Sequence, residues 1–479
     1  MSVNVERVMV SPAAPEVRVI EAVLIVALLS GPLVAVSPPV TIVGAVAVAL
    51  VALVMSRPQA AAYVFLAVSP LVVGMERGSV VPLLRPNEAL LLLLAAALLG
   101  RRILDPPETR PSLRSLHPVD VSILLLAVTA SVVPLLWMVA RGVDITQDDL
   151  LYASALWKYY AIYLLVRSSI RTEAQVARCL WISMAVAAAV GAIGILQALR
   201  VFGVPELLAT YYAGGDVSGF DINRATSTIG QSQALGDVMI FNLVIAVAWL
   251  LHKGRPKALL VGAALFFALG TVASGQFSEV LGLVAGALAL GLVTGRLRTA
   301  AALLVPVMAV ALLALQPVVE RRLSSVDTQT GLPTSWVGRW ENLNTFFVPE
   351  VTKGTAVFGV RPAARVPAPE FLPGDWVYIE SGHVWLLWTG GIPLFLAFFV
   401  FLWKGLRATA AVVRRRADAV GVAAIASFVS LVVLAAVTIF DPHLTMRGSA
   451  DLFFPLLALA LTGQRYRPRP VAQSRPTTS

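Results

Sequence analysis

The sequence predicts an all-α integral membrane protein with about 12–14 transmembrane helices and one long extracytoplasmic loop that contains short helices. Of its 479 residues 58% are hydrophobic and only 13% are charged, and the mean hydropathy is +0.82. The apolar residues also fall in runs that approach the thickness of a bilayer. These observations exclude a soluble enzyme, a DNA-binding protein and a disordered scaffold. We therefore expect no nucleic-acid partner, although the net charge of +10 alone would suggest one.

Fourteen apolar runs qualify or nearly qualify as spanning helices, because about 20 helical residues cross the hydrocarbon core with every backbone group satisfied. They lie at about 19–36, 39–55, 60–75, 87–100, 119–140, 150–167, 174–198, 235–251, 256–273, 276–294, 298–317, 382–406, 418–440 and 449–463. The third, fourth and last runs are short, which leaves the count open. No small-residue cleavage site follows the first run, so we expect a retained anchor rather than a cleaved signal peptide.

The basic residues predict the orientation, since short basic loops stay in the cytoplasm. With the N-terminus inside, 24 of the 37 Lys and Arg residues fall on the cytoplasmic side. The chain then divides into N-terminal transmembrane helices at 1–317, an extracytoplasmic loop at 318–381, C-terminal transmembrane helices at 382–463 and a basic cytoplasmic tail at 464–479. Both termini are cytoplasmic in this topology. The segment around residue 224, the turn at 274–276 and the long loop share the outer face, where we expect the functional site.

The long loop is expected to fold back on the membrane, because it is rich in tryptophan and disordered segments are poor in aromatic residues. Residues 336–348 predict a short amphipathic helix with Trp336, Trp340, Leu343 and Phe347 on one face. Such a helix is either part of a site or a headgroup-level helix whose tryptophans are interface anchors. Both interpretations stay open at this point.

Among the four histidines, His383 is the candidate catalytic base. It lies where the loop re-enters the membrane, three residues after Glu380, and an imidazole exchanges protons near neutral pH. The alternative is an interfacial histidine that only hydrogen-bonds a neighbour. The other three, His117, His252 and His443, lie in short polar links and are expected to be solvated.

Three outer-face arginines, Arg224, Arg339 and Arg361, are candidates to bind a lipid-linked diphosphate. Guanidinium groups bind phosphate oxygens in a bidentate manner and keep their charge. Each arginine taken singly also fits a headgroup contact, so the prediction depends on all three.

Other motifs are missing from the sequence. There is no P-loop, no H-E-x-x-H, no C-x-x-C pair and no nucleophile elbow, and the single cysteine excludes internal disulfides. The acidic pair Asp148–Asp149 lacks the D-x-D spacing of a nucleotide-sugar metal site. The sequence therefore predicts no cofactor and no metal ligands.

Several outer segments together resemble the O-antigen ligase and O-antigen polymerase superfamily of membrane glycosyltransferases. They are VFGVRPAARV at 357–366, ESGHVWLLWTGGIPLFLAFFVF at 380–401 with its Gly390–Pro393 element, NRATSTIGQSQALGDVM at 223–239 and VGRW at 337–340. The resemblance covers roughly residues 220–405. It depends on the order of these segments and on their shared face.

The resemblance implies transfer of a glycan from undecaprenyl diphosphate to an acceptor hydroxyl on a glycan, lipid or protein, without a metal and with inversion at the sugar. It implies His383 as the base, with Arg224 and Arg339 on the diphosphate, and Glu380 is a further catalytic candidate because it lies three residues before His383. It also implies the inner membrane of a bacterium and a part in polysaccharide or lipopolysaccharide biosynthesis of the cell envelope. Two departures are Val384, where Asn is common, and Ser274–Gly275–Gln276, where the family has Ser-Arg and where Arg361 is a candidate replacement.

Two other function classes stay open. A transporter or flippase of lipid-linked or polar substrates would carry ionisable residues within spans, as Lys158 does. Lys158 is either a snorkelling or carboxylate-paired residue or, with Gln276 and Trp340, a candidate to line the groove for the carrier lipid. A scaffolding membrane protein is the third class.

Overall fold

The computed structural model describes residues 38–79, 81–104, 116–212, 224–252, 256–324, 326–327, 331–370 and 374–463. These residues form an almost entirely helical protein with one small hairpin. The first predicted span, at 19–36, and the basic tail at 464–479 lie outside the described residues. Each of the other predicted spans coincides with a helix, and the run at 150–167 is divided between two.

The N-terminal helices are α1 (Pro38–Ser56), α2 (Gln59–Val72), α3 (Pro86–Leu104), α4 (Pro118–Ala140), α5 (Gln147–Ala153), α6 (Ala155–Ser169), α7 (Glu173–Leu199) and α8 (Val204–Tyr212). Then follow α9 (Ser232–Leu250), α10 (Lys257–Ala273), α11 (Ser278–Thr294), α12 (Leu297–Ala314) and α13 (Gln316–Leu323). The loop contains α14 (Thr334–Asn342), α15 (Val348–Val351) and the strands β1 (Arg365–Pro367) and β2 (Trp376–Tyr378). The chain continues with α16 (Gly382–Val413), α17 (Ala419–Val437) and α18 (Ser449–Ala460).

Six of the described helices are long and apolar enough to cross a membrane: α4, α7, α9, α12, α16 and α17. Shorter apolar helices accompany them, namely Thr41–Ser56 within α1, and α2, α10, α11 and α18. The chain is therefore a helical membrane protein by the length and composition of its helices.

The centre of the helix bundle is formed by α9 and α17. In the most apolar window of each helix, 89% and 78% of the residues are buried, whereas only 17% are buried in α12. A helix that is apolar on all sides and buried on all sides belongs to the interior of a bundle. Around this centre, α9 packs on α10 and α17, α17 packs on α11 and α16, and α16 packs on α4.

The helix α16 contains a sharp break at Gly391, whose φ of 64° and ψ of −153° are not helical. The rings of His383 and Phe395 are 6.4 Å apart, although twelve residues of straight helix would separate them by about 18 Å. A Cβ at position 391 would lie 2.1 Å from the carbonyl oxygen of Val357, so no larger residue fits there. The apolar run predicted as one span at 382–406 is therefore two helical parts that meet at Gly391.

The described part of the long loop is folded, and its position on the membrane stays a prediction. The expected helix at 336–348 is present as α14, a π-helical turn at Leu343–Phe347 and α15. Trp336 packs on Phe440 with ring centroids 4.7 Å apart, and Phe347 is fully buried, but Trp340 is 69% exposed. The four residues expected on one face therefore do not all point the same way. Trp336 and Phe347 face the protein, and Trp340 faces away from it. Beyond α15, β1 and β2 pair in an antiparallel hairpin.

Candidate functional site

The candidate site lies where the loop helix α14, the start of α16 and the link 438–448 between α17 and α18 meet. Arg339 of α14 is at its centre, with a side chain that is only 9% exposed. Its Nη1 donates to Oδ2 of Asp441 at 2.8 Å, and its Nε lies 3.2 Å from Oε1 of Glu380. One buried guanidinium therefore joins carboxylates from two different segments.

The segment that carries His383 is held against the same link. The N–H of Gly382 donates to the carbonyl of Thr438 at 2.8 Å, and the Ser381 hydroxyl caps α16 by accepting from the N–H of Val384 at 3.4 Å. His383 follows in the first turn of α16 and is partly buried. Along the chain, His383 thus lies between Glu380, which contacts Arg339, and the break at Gly391.

Arg224 acts on the same carboxylates through its charge. Burial raises the pKa of Glu380, and the neighbouring Arg339 and Arg224 oppose that rise. Burial also raises the pKa of Asp441, which Arg339, His443 and Arg224 oppose. We call Arg224, Arg339, Glu380 and Asp441 the site cluster. Two predicted phosphate-binding arginines and Glu380 are therefore brought together, and Asp441 is an addition that the sequence analysis missed.

The expectation that His443 is solvated was wrong. Its side chain is 0% exposed, and its Nδ1 lies 2.7 Å from Oδ2 of Asp237, which is equally buried. Glu279, at the start of α11, is 1% exposed. Asp237, Glu279 and His443 each offer one atom within 4.8 Å of the others, and we call them the buried trio. The link 438–448 carries both His443 and Asp441, so the trio lies directly beside the site cluster.

The turn at 274–276 is also close to this region. Gln276 is buried, and its Nε2 donates to the Ser232 hydroxyl at the start of α9 at 2.5 Å. Next to it, the guanidinium of buried Arg322 lies 4.8 Å from the ring centroid of Phe277. Arg322 therefore lies beside the turn at which the resembled family carries an arginine. The sequence analysis missed Arg322, because it is almost fifty residues away from this turn along the chain.

Arg361 does not join the site cluster. Its Nη2 binds Oδ2 of Asp149 at 2.5 Å and its Nε binds Oδ1 at 3.0 Å, while Arg365 pairs with Asp148. We call these four residues the loop clamp. Burial raises the pKa of Asp149, but hydrogen bonds from Arg361 and Thr146 outweigh burial, and the net shift is downward. Asp148 and Asp149, whose spacing in the sequence does not fit a metal site, thus hold the long loop on α5.

Lys158 is paired with a carboxylate, as one of its two interpretations stated. Its Nζ lies 3.6 Å from Oδ1 of Asp451 and 4.4 Å from the ring centroid of Tyr159. Asn87 donates to the same Asp451 oxygen at 3.3 Å. The lysine is largely buried among α3, α6 and α18. Trp340, the remaining groove candidate, stands at the surface of α14.

Comparison with models of known protein families finds no match for this sequence, and comparison with curated proteins finds none either. The function therefore has to be argued from the site. Its chemistry consists of buried guanidinium groups, carboxyl groups of raised pKa and an imidazole at the first turn of a helix. Such a set suits an anionic leaving group and a hydroxyl that must lose its proton.

Proposed function

We propose that the protein is a membrane glycosyltransferase of the O-antigen ligase or polymerase type, located in the inner membrane of a bacterium. It transfers a glycan from a polyprenyl diphosphate to an acceptor hydroxyl on a glycan, lipid or protein. The observation that carries the proposal is the contact of Arg339 with Glu380, three residues before His383, inside a cluster that also includes Arg224.

In the proposed reaction His383 takes the proton of the acceptor hydroxyl. The acceptor oxygen then forms a bond to the anomeric carbon from the face opposite the diphosphate. The bond between that carbon and the diphosphate oxygen breaks, and its electron pair leaves with the diphosphate, so the sugar is inverted. Arg224 and Arg339 stabilise the charge that develops on the leaving oxygen. No step needs a nucleotide or a metal ion.

Arg339 is suited to this role because its direction is set by the protein. Guanidinium has five N–H donors, and the contacts with Glu380 and Asp441 use those on Nε and Nη1. Among the residues that the structure describes, the N–H groups on Nη2 have no such contact, and we assign them to a phosphate oxygen. Glu380 is therefore a positioning residue for the arginine. Arg322 is a further cation near Gln276, where the resembled family has an arginine.

Two of the segments that carry the resemblance, 357–366 and 380–401, pack on one another, and a third, 223–239, contacts the end of α10. The N–H of Val360 donates to the carbonyl of Trp388 at 2.6 Å, and the N–H of Ile392 donates to Val357 at 2.9 Å. The N–H of Ala225 donates to the carbonyl of Ala273 at 3.2 Å. Under the predicted topology, with both termini cytoplasmic and twelve to fourteen spans, all these segments are extracytoplasmic. On that side of the membrane the reaction needs no further activation, because the diphosphate of the donor is itself the leaving group.

A transporter or flippase of lipid-linked substrates is the second candidate. It is favoured by ionisable side chains buried near helix ends, above all the Lys158 pair with Asp451 and the buried trio. In a transporter, such groups would bind the coupling ion or proton in addition to stabilising the fold. The two functions differ in whether a covalent bond is made.

The test is incubation of the purified protein, reconstituted in vesicles, with an undecaprenyl-diphosphate oligosaccharide and candidate acceptors. A lengthening ladder of products indicates a polymerase, and one discrete addition to an acceptor indicates a ligase. Movement of the donor across the vesicle membrane without any new glycosidic bond would overturn the proposal in favour of the transporter. The His383→Ala variant is the control for product formation.

A further inference from the structure

The buried trio is built from three parts of the chain that are far apart in sequence. Asp237 lies in the second turn of α9, Glu279 in the first turn of α11, and His443 in the short turn after α17. Their exposures are 0%, 1% and 0%. A carboxylate, a second carboxylate and an imidazole thus meet within 4.8 Å in the protein interior.

Four atoms of the trio have no hydrogen-bond partner among the described residues. They are Oδ1 of Asp237, Oε1 and Oε2 of Glu279, and Nε2 of His443. Buried polar atoms nearly always have a partner, and leaving one without costs free energy. Three of these atoms are carboxylate oxygens that a single cation can reach together, which indicates that the native protein contains a cation at this place.

We propose that Asp237, Glu279 and His443 bind a divalent transition-metal ion, for which Zn²⁺ is the best fit. Two carboxylates and one imidazole are a donor set that zinc accepts, with bonds of about 2.0–2.2 Å. The two carboxylate charges neutralise a divalent ion where burial makes a net charge costly. The site goes beyond the proposed glycan transfer and does not depend on it.

A proton or a water molecule satisfies the trio less well than a metal ion. A proton on Glu279 would remove one charge, but its O–H could pair with only one of the other unpaired atoms of the trio. Water would supply hydrogen bonds but no charge, and a protonated imidazole of His443 would offset only one of the two carboxylates. A divalent ion satisfies both requirements.

The geometry needs only a small adjustment to bind the ion. Tetrahedral coordination at these bond lengths places ligand atoms about 3.3 Å apart. The Nδ1 of His443 and the Oδ2 of Asp237, now 2.7 Å apart, would open slightly as the metal replaces the proton between them. A carboxylate oxygen of Glu279 already lies within 4.8 Å of the other two ligand atoms and would move closer to them. With both its oxygens unpaired, Glu279 is able to bind through either or both.

Gly236, which precedes Asp237, makes room for the Glu279 side chain. A Cβ at position 236 would lie 2.5 Å from Cγ and 2.6 Å from Cδ of Glu279. The absence of a side chain therefore lets Glu279 reach the trio. The Gly236→Ala variant is expected to displace this ligand while all three ligand residues remain in the chain.

The first measurement is the metal content of the intact protein, purified without chelators, by elemental mass spectrometry. We expect about one equivalent of Zn²⁺ per chain. After removal of the metal with a chelator, added Zn²⁺ should raise the melting temperature, and Mg²⁺ should not. This readout is independent of glycan transfer, so it stands or fails separately from the proposed function.

The second measurement compares variants. Glu279→Gln, His443→Ala and Gly236→Ala should each lower zinc affinity by at least about tenfold. Asp149→Asn, which removes a buried carboxylate of the loop clamp, should keep full zinc content. Wild-type protein with no bound transition metal and no response of its melting temperature to Zn²⁺, Mn²⁺ or Fe²⁺ would overturn the proposal. That result needs no folded variant.

Discussion

The site cluster and the loop clamp both use arginines of the same long loop, 318–381, but they use them differently. Arg339 is 9% exposed and joins carboxylates of two segments, Glu380 and Asp441. Arg361 is 30% exposed and directs two of its nitrogens to one carboxylate, that of Asp149. An arginine whose hydrogen bonds are shared between two segments keeps donors for a ligand, whereas one that grips a single carboxylate serves to attach the loop. Residue type and loop membership were the same for both, and only the partners differ.

The largest effect on activity is expected from His383→Ala. General-base catalysis contributes about 10²–10⁴-fold in rate, so glycan transfer should fall by that factor. Stability should change by less than about 1 kcal/mol, because the ring is only partly buried. The measurement is transfer by purified protein with a thermal melt on the same sample. Full activity would remove His383 from the role of base.

Arg339→Ala should separate the two regions most clearly. Transfer should fall by about 10²–10³-fold, as for loss of one donor to a developing oxyanion. The change also leaves Asp441 buried without its cation, which should destabilise the protein by about 3–5 kcal/mol.

Arg339→Lys is the matched control, since it keeps the positive charge but loses the planar guanidinium with its five N–H donors. It should recover much of the stability but little of the transfer. Equal recovery of both would mean that Arg339 acts only as a structural ion pair, like Arg361.

Asp149→Asn should act mainly on the loop clamp. Loss of the charged hydrogen bonds from Arg361 should cost about 1.5–3 kcal/mol, with less than about tenfold loss of transfer. Protease sensitivity of the segment 354–381 measures the attachment of the loop. A loss of transfer as large as that of Arg339→Ala would place the clamp inside the site.

The loop clamp also has a predictable pH dependence. The pKa of Asp149 is lower in the folded protein than its ordinary value of about 3.9. A carboxylate with a lowered pKa stabilises the folded state above its unfolded pKa, and this contribution is lost as the pH falls through the folded pKa. The loop should therefore stay attached down to about pH 4 and be released below it. Asp149→Asn should lack this acid transition.

Trp340→Ala should have the smallest effect on stability, less than about 0.5 kcal/mol, because the side chain is 69% exposed. If the tryptophan contacts lipid headgroups or the carrier lipid, transfer should weaken in bilayer nanodiscs and stay unchanged in detergent. Trp336→Ala is the matched comparison, because Trp336 packs on Phe440 and its loss should lower the melting temperature. Identical behaviour of Trp340→Ala in nanodiscs and detergent would argue against a lipid contact.

Much of the fold was predictable because it depends on local properties of the chain. A run of apolar residues becomes a helix in a membrane wherever it lies, since its backbone groups are satisfied within the segment. The break at Gly391 was not predictable in this way. It depends on the close approach of Val357, which lies more than thirty residues earlier in the chain.

The sequence by itself determined the helical membrane class and the positions of the apolar helices, and it predicted a shared outer face for Arg224, Arg339, Glu380 and His383. Only the tertiary structure decided that Arg339 meets Asp441, that Arg361 attaches the loop, and that His443 is buried with Asp237 and Glu279. Hydropathy and charge bias are summed over neighbouring residues. An ion pair or a metal site depends on the distance between side chains from separate helices, and no spacing in the sequence encodes that distance.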